Sequence, residues 1–172
     1  MSSPADLWDE LAGPRRPLFL VELAGVLGGL VYVELAGHER LGRLAASLAR
    51  SGDAAGAVWA SAASLAHAWR AAQLERLLPV SRGLPDAASV TVCPGPATAE
   101  WVERLELSNV DRLYAELSGF YAELSAAYAR RLAFVHASAD GPVVTTLERL
   151  VADLSRFAES SPAGSRSQVT EA

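Results

Sequence analysis

The feature that most constrains this chain is the spacing of its apolar helical stretches. Two pairs with tight internal turns, Leu18 to Leu78 and Ala97 to Phe157, flank one long irregular segment rich in Pro, Gly and Ser. Short, long, short is the connection pattern of an all-α four-helix bundle built as two antiparallel helix hairpins joined by one long crossover. Short loops force sequence neighbours to lie antiparallel, and the long segment has the length of the bundle to travel. At 172 residues, 51% of them hydrophobic, the chain carries apolar surface for one domain with a full core.

The pattern divides the chain into an N-terminal arm over 1–16, a bundle over 17–158 and a polar, aperiodic tail over 159–172 that is expected to be disordered. In the arm, Asp6 to Leu11 reads as one or two helical turns, with Trp8 available to dock on the bundle. The first bundle helix is expected from Pro17 to Arg50, because Leu20, Leu23, Ala24, Leu27, Leu30, Val31 and Leu35 recur at three-and-four spacing and Leu41, Leu44, Ala45 and Leu48 continue it. Ser51-Gly52-Asp53 reads as a helix stop followed by an N-cap. A second helix is expected over Ala54 to Leu78, with Val58, Ala62, Leu65, Ala66, Trp69, Ala72 and Leu77 inward. The crossover, 79–96, contains Pro79, Pro85, Pro94 and Pro96 and has no helical period. A third helix is expected from Ala97 to Ala137 with a break at Ser108-Asn109 or Gly119. Asp140-Gly141-Pro142 reads as a tight turn, and a fourth helix runs over Val143 to Phe157.

Charge and cysteine usage exclude several function classes. The net charge of -5 and the scarcity of adjacent basic residues, Arg15-Arg16 and Arg130-Arg131, leave no basic footprint for nucleic acid. All 15 basic side chains are Arg and Ile is absent, a nucleotide-composition bias rather than an arginine-specific function. The lone Cys93 excludes an internal disulfide framework and a multi-thiolate metal site, and suits a reducing cytoplasm. The run Leu18 to Val33 with its Gly25 and Gly29 raises a membrane span, but Glu22 interrupts it and Glu34 closes it. Its uncharged part is too short for a bilayer core of about 30 Å. The acidic start, with Asp6, Asp9 and Glu10, does not read as a signal peptide.

A di-iron site in a bundle takes a Glu from each of two helices and a Glu-x-x-His pair from each of the other two, since a spacing of three places both ligands on one inward face. The three histidines do not supply such pairs: Leu35 precedes His38, Ser64 precedes His67 and Ala133 precedes His136 at that spacing. What remains is Glu34 with His38 one turn later, and His67 on the second helix, which is expected to face Glu34 across the hairpin. Carboxylates from the third helix, Glu116 or Glu123, complete the candidate ligand set. Tyr114, Tyr121 and Tyr128 recur every seven residues. They read as a packing edge whose hydroxyls reach water or a polar partner, with radical chemistry as the alternative.

These residues carry a resemblance. Gly25 to Leu44 (GVLGGLVYVELAGHERLGRL) is similar to the first helix of ferritin-like proteins related to the tRNA-hydroxylase branch, and the match places Glu34 on a ligand glutamate. Ala60 to Leu74 resembles the second helix, with Ser64 and His67 at the Glu-x-x-His positions, and Trp101 to Leu124 resembles the third. The final Glu-x-x-His region falls near Asp140 to Glu148, where Gly141-Pro142 and Val144-Thr145 stand. The resemblance covers Leu18 to Leu154 and implies a ferritin-like fold whose metal site has lost ligands. The expected function is accordingly a non-catalytic binding or scaffold protein with no required cofactor. The alternatives are a reduced iron or zinc site around Glu34, His38, His67 and Glu116 or Glu123 that serves an oxidoreductase or hydroxylase, and a membrane-associated or oligomeric module that packs through Gly25, Gly28 and Gly29. A homodimer is expected because Leu44, Leu48, Leu132, Phe134 and Val135 extend the apolar stripes beyond the shorter helices.

Overall fold

A computed structural model of the protein describes residues 4–80, 83–104, 110–136 and 138–159. Among these the chain is all-helical: α1 (Pro4–Ala12), α2 (Leu20–Ser51), α3 (Ala54–Glu75), α4 (Ala87–Val90), α5 (Pro96–Glu103), α6 (Val110–Leu132) and α7 (Gly141–Glu159). The long helices α2 and α3 pack as an antiparallel hairpin, and α6 packs on α7.

The hairpin turn forms for local reasons. Gly52 adopts the left-handed conformation at φ 86° and ends α2, while the Asp53 carboxylate accepts from the Gly56 N–H at 2.9 Å and starts α3. At its other end α2 begins at Leu20 rather than Pro17. The Glu22 carboxylate reaches back to accept from the Phe19 N–H at 2.9 Å and is gripped by Arg16 at 2.6 Å, which fixes the first turn three residues later than the proline.

The inner face of α2 is as expected: Leu23, Leu27, Leu30, Val31, Val33, Leu41, Leu44 and Leu48 are all buried. Leu35 is exposed. The glycines of this helix have a different use from the one their spacing suggested. A Cβ on Gly28 would stand 2.2 Å from the Val90 carbonyl oxygen, and one on Gly29 would stand 2.6 Å from Pro94 Cγ, so these two form a groove that seats the crossover. Gly25 meets nothing within 4 Å. Close packing at Gly28 and Gly29 is therefore satisfied within the chain.

On α3 the expected inward face is corrected. Val58 and Leu65 point outward, 72% and 68% exposed, whereas Ala60, Ala63, Ser64, His67, Arg70, Ala71 and Leu74 are buried. Gly37 leaves room for the His67 ring, which a Cβ there would approach to 2.7 Å, and Ala60, Ala63, Ser64 and Ala71 keep the rest of the buried face small.

The arm is also more than an appendage. Its helix α1 buries Leu7 and Leu11 against α6 and α5, and the Glu10 carboxylate accepts from the Ala97 and Thr98 N–H groups at 3.1 and 2.7 Å. Glu10 thereby caps α5, satisfying two of the donors that a helix start leaves open. Arg131, buried near the end of α6, donates to the carbonyls of Ala12, Pro14, Arg16 and Phe134 and holds the arm in place.

The third helical stretch is two helices, α5 and α6, so a single helix from Ala97 to Ala137 is not observed. The anticipated break at Ser108-Asn109 lies outside the described residues, as do Ala137 and the tail beyond Glu159, while Gly119 sits inside α6 without interrupting it. Asp140-Gly141-Pro142 is a helix start rather than a separate turn. The Asp140 carbonyl accepts from Val143 and Val144, and Pro142 falls in the first turn of α7, where its missing N–H costs nothing. The expected overhang is not observed at Leu44 and Leu48, which are 6% and 2% exposed under the chain's own helices, while Leu132, Phe134 and Val135 are half-buried.

Candidate functional site

Four helices send polar side chains to one interior point. From α2 comes Glu34, from α3 His67 and Arg70, from α6 Tyr128 and from α7 Asp153. Glu34, His67, Arg70 and Tyr128 are each 0% exposed.

Glu34 is the hub. Its Oε2 accepts from His67 Nδ1 at 2.5 Å, both carboxylate oxygens lie 3.1 Å from Arg70 Nε, and Oε1 accepts from the Tyr128 hydroxyl. Arg70 then bridges to α7, with Nη1 donating to Asp153 Oδ2 at 2.7 Å. Aromatic rings close the surroundings. Tyr121 stacks on His67 with centroids 5.6 Å apart, Phe120 lies 5.9 Å from the same imidazole, and the Arg70 guanidinium sits 5.9 Å over the Phe157 ring.

The protonation states follow from this packing. Burial acts to raise the Glu34 pKa, but the Arg70 charge and the donors on both oxygens outweigh it, so the carboxyl is held below its ordinary range and stays ionised. Burial lowers the His67 pKa and the nearby Arg70 charge adds to that, against the pull of Glu34, so the ring is neutral at pH 7. An ionised carboxylate can only accept. The His67 proton therefore sits on Nδ1, and Nε2 carries a lone pair. Burial raises both Tyr128 and Tyr121, which remain phenols, while the Glu34 carboxylate keeps Arg70 charged despite its desolvation.

Of the residues anticipated as a site, the structure brings Glu34 and His67 together, and His38 is engaged elsewhere. His38 turns to α3, where its Nδ1 lies 2.9 Å from Ser64 Oγ and 3.0 Å from the Ser64 carbonyl, and Ser64 Oγ donates to the His38 carbonyl at 2.8 Å. Glu123 is half-buried on α6, and the bonds to Glu34 come from Arg70, His67 and Tyr128 instead. Glu116 belongs to α6, but its side chain lies outside those described. Arg70 and Asp153 were not anticipated, and Tyr128 was expected only as part of a packing edge. One signal was present: Arg70 is the sole Asp, Glu, Lys or Arg between Ala54 and Leu74. A lone charge in an otherwise apolar helix needs a buried partner.

Iron or zinc does not fit this donor set. Both Glu34 oxygens and His67 Nδ1 already serve protein partners, and a guanidinium stands between the two carboxylates. Among the described residues, no group of three or more His, Cys, Asp and Glu side chains is arranged to hold a metal ion. What the arrangement does chemically is neutralise charge: Arg70 stabilises Glu34 and Asp153 as divalent cations stabilise bridging carboxylates elsewhere.

No protein-family model, curated protein or solved structure matches the chain significantly.

Proposed function

We propose that the chain is a ferritin-like four-helix bundle whose metal site has been replaced by an arginine-centred charge network, and that it serves as a non-catalytic binding or scaffold protein of the cytoplasm. In this reading α2–α3 and α6–α7 are the two hairpins, and the segment with α4 and α5 is the crossover. The observation that carries it is the buried Arg70 guanidinium, which bonds Glu34 of α2 and Asp153 of α7.

Two further features support the reading. Glu34, His67, Arg70 and Tyr128 are buried from solvent, and Asp153 keeps 20% of its side chain exposed, so the polar groups serve the interior more than a surface cleft. The surface instead offers apolar residues to a partner. Val58 and Leu65, seven apart on one face of α3, are exposed, as is Leu35 on α2. Helix α2 is long and apolar enough to cross a membrane, but 56% of its most apolar window is covered by the protein itself, which favours a core helix.

Elemental analysis of protein purified without a histidine tag tests the metal-free interior. The expected result is less than one equivalent of iron or zinc per chain, and two irons per chain would overturn it. The binding role is tested by light scattering on the wild type and on Val58→Glu/Leu65→Glu. A homodimer through this stripe gives twice the 18.1 kDa chain mass for the wild type and the monomer mass for the variant. Equal masses for the two would remove the stripe as a self-association surface.

A further inference from the structure

Helix α1 is held as a bound peptide would be. Its nine residues are fewer than the roughly 12–15 that keep a helix alone in water, so its helicity comes from docking. The groups it docks on lie far along the chain. Leu7 and Leu11, one turn apart, are buried against α5 and α6, and Asp9 pairs with Arg130. The Glu10 carboxylate takes the Ala97 and Thr98 N–H groups and also the Thr98 hydroxyl, at 2.8 Å. The receiving side is shaped for that carboxylate. Thr98 is fully buried, and a Cβ on Gly95 would stand 2.5 Å from Glu10 Cδ, so glycine there leaves the carboxylate its room. The short run Leu7-Trp8-Asp9-Glu10-Leu11 thus carries all of these side-chain contacts.

What ties α1 to the rest of the chain is slight. Gly13 ends it at φ 67°, and the connector from Pro14 to Pro17 is exposed. Arg131 fastens this stretch through the carbonyls of Ala12, Pro14 and Arg16, bonds that no side chain of the connector decides. A surface that reads one short run through its side chains can read the same pattern on another chain. Charge selects the class: the open N–H groups of α5 and the Arg130 guanidinium both call for carboxylates, while the buried positions call for leucines on one helical face. We propose that the groove between α5 and α6 is a docking site for an acidic amphipathic helix of a partner protein, with Leu followed by Glu three residues on and Leu four residues on, and that α1 fills it as an internal competitor until the partner displaces it. Tethering gives α1 an effective concentration of about millimolar, so the firmness of its seat gates the partner. The inference rests on the binding reading above, whose metal and stripe tests do not involve α1 and are not decided by the outcome here.

Fluorescence anisotropy on the intact chain, with a labelled peptide of sequence PADLWDELAG as the probe, tests it. The chain carrying Leu7→Ala/Leu11→Ala, whose own helix is weakened, should bind the peptide about tenfold more tightly than the wild type, and Glu10→Lys in the peptide should weaken binding by about tenfold or more. Equal affinity for the two chains, equal affinity of the two peptides, or no binding to a weakened chain of native circular dichroism would overturn the proposal. Hydrogen exchange on the wild type decides the matter where the weakened chain does not fold. The α1 amides should exchange about tenfold or more faster than those at the centre of α2, and equal rates, meaning that α1 opens only when the whole chain unfolds, would overturn the competitor role. A wild type of twice the 18.1 kDa chain mass that falls to the monomer when the peptide is added would give the groove to α1 of a second copy and overturn the partner protein.

Discussion

Replacing Arg70 with methionine keeps an unbranched apolar stem and removes the charge, leaving Glu34 buried without its cation. Glu34 retains the His67 and Tyr128 donors, and Asp153, at 20% side-chain exposure, recovers some hydration. Breaking a buried pair by removing one partner costs about 3–5 kcal/mol, and these residual partners place Arg70→Met at the lower end, about 3 kcal/mol at pH 7. For a chain of this size that lowers Tm by roughly 6–12 °C. The pH dependence separates a lost charge from lost packing. In the wild type the Glu34 pKa lies below its unfolded value of about 4.3, so ionised Glu34 contributes stability above that pH, and the contribution is lost as pH falls through the lower folded pKa. Without Arg70, burial prevails and the folded pKa rises above about 4.3, so ionisation now opposes folding. The variant's deficit should therefore shrink by at least about 1 kcal/mol between pH 7 and pH 4, and Arg70→Met/Glu34→Gln should regain part of it at pH 7. Urea denaturation at the two pH values measures this. A deficit below about 1 kcal/mol at pH 7, or one that does not change with pH, would refute the charge-network argument.

Gly25→Ala and Gly28→Ala should move stability in opposite directions. The first adds a helix-favouring methyl in open space and gains up to about 1 kcal/mol, while the second drives a Cβ into the Val90 carbonyl and costs about 1–3 kcal/mol; a loss at Gly25 in thermal melts would instead reveal a helix partner there. Glu10→Ala should cost about 1–2 kcal/mol by uncapping α5, with hydrogen exchange accelerated at Ala97 and Thr98. His67, whose folded pKa lies below about 6.5 because of its burial, contributes stability that is complete above that pH and is lost as pH falls through the folded pKa. His67→Gln should accordingly flatten the stability profile between pH 7 and pH 5, and an unchanged slope would mean that folding does not lower the His67 pKa.

What could be read in advance was local. The turn at Gly52-Asp53 was legible because a left-handed glycine and an acidic N-cap act within four residues, and the inner face of α2 was legible because its apolar period is unbroken. The face of α3 was not. Val58, Leu65 and Trp69 keep as regular a spacing as Ala60, Ser64, His67 and Ala71, and only the closeness of α2 at Gly37 decides that the smaller set turns inward. Glu34 and His67 were legible as a pair because one hairpin brings them together. Tyr128 and Asp153 were not, since they reach Glu34 and Arg70 across 94 and 83 residues of chain, and no periodicity encodes which helices will meet. The role of α1 stayed hidden for the same reason, as its partners are α5 and α6.

The separations in sequence within the network bear on how the chain can come to be folded. Helices α2 and α3 are synthesised before α6 and α7 and can close on each other early, but they then hold Arg70 without Asp153 and Glu34 without Tyr128, groups that emerge from the ribosome far later. The arm waits as well, because Glu10 meets Thr98 across 88 residues and Arg131 meets Ala12 across 119. An early hairpin thus carries charges that it cannot satisfy. It should stay loose and exchange its amides freely until the last helix arrives, and native contacts of such long range slow folding relative to helical proteins built from neighbours alone. Chains cut short before α7 should accordingly be targets for chaperones and proteases rather than stable half-bundles.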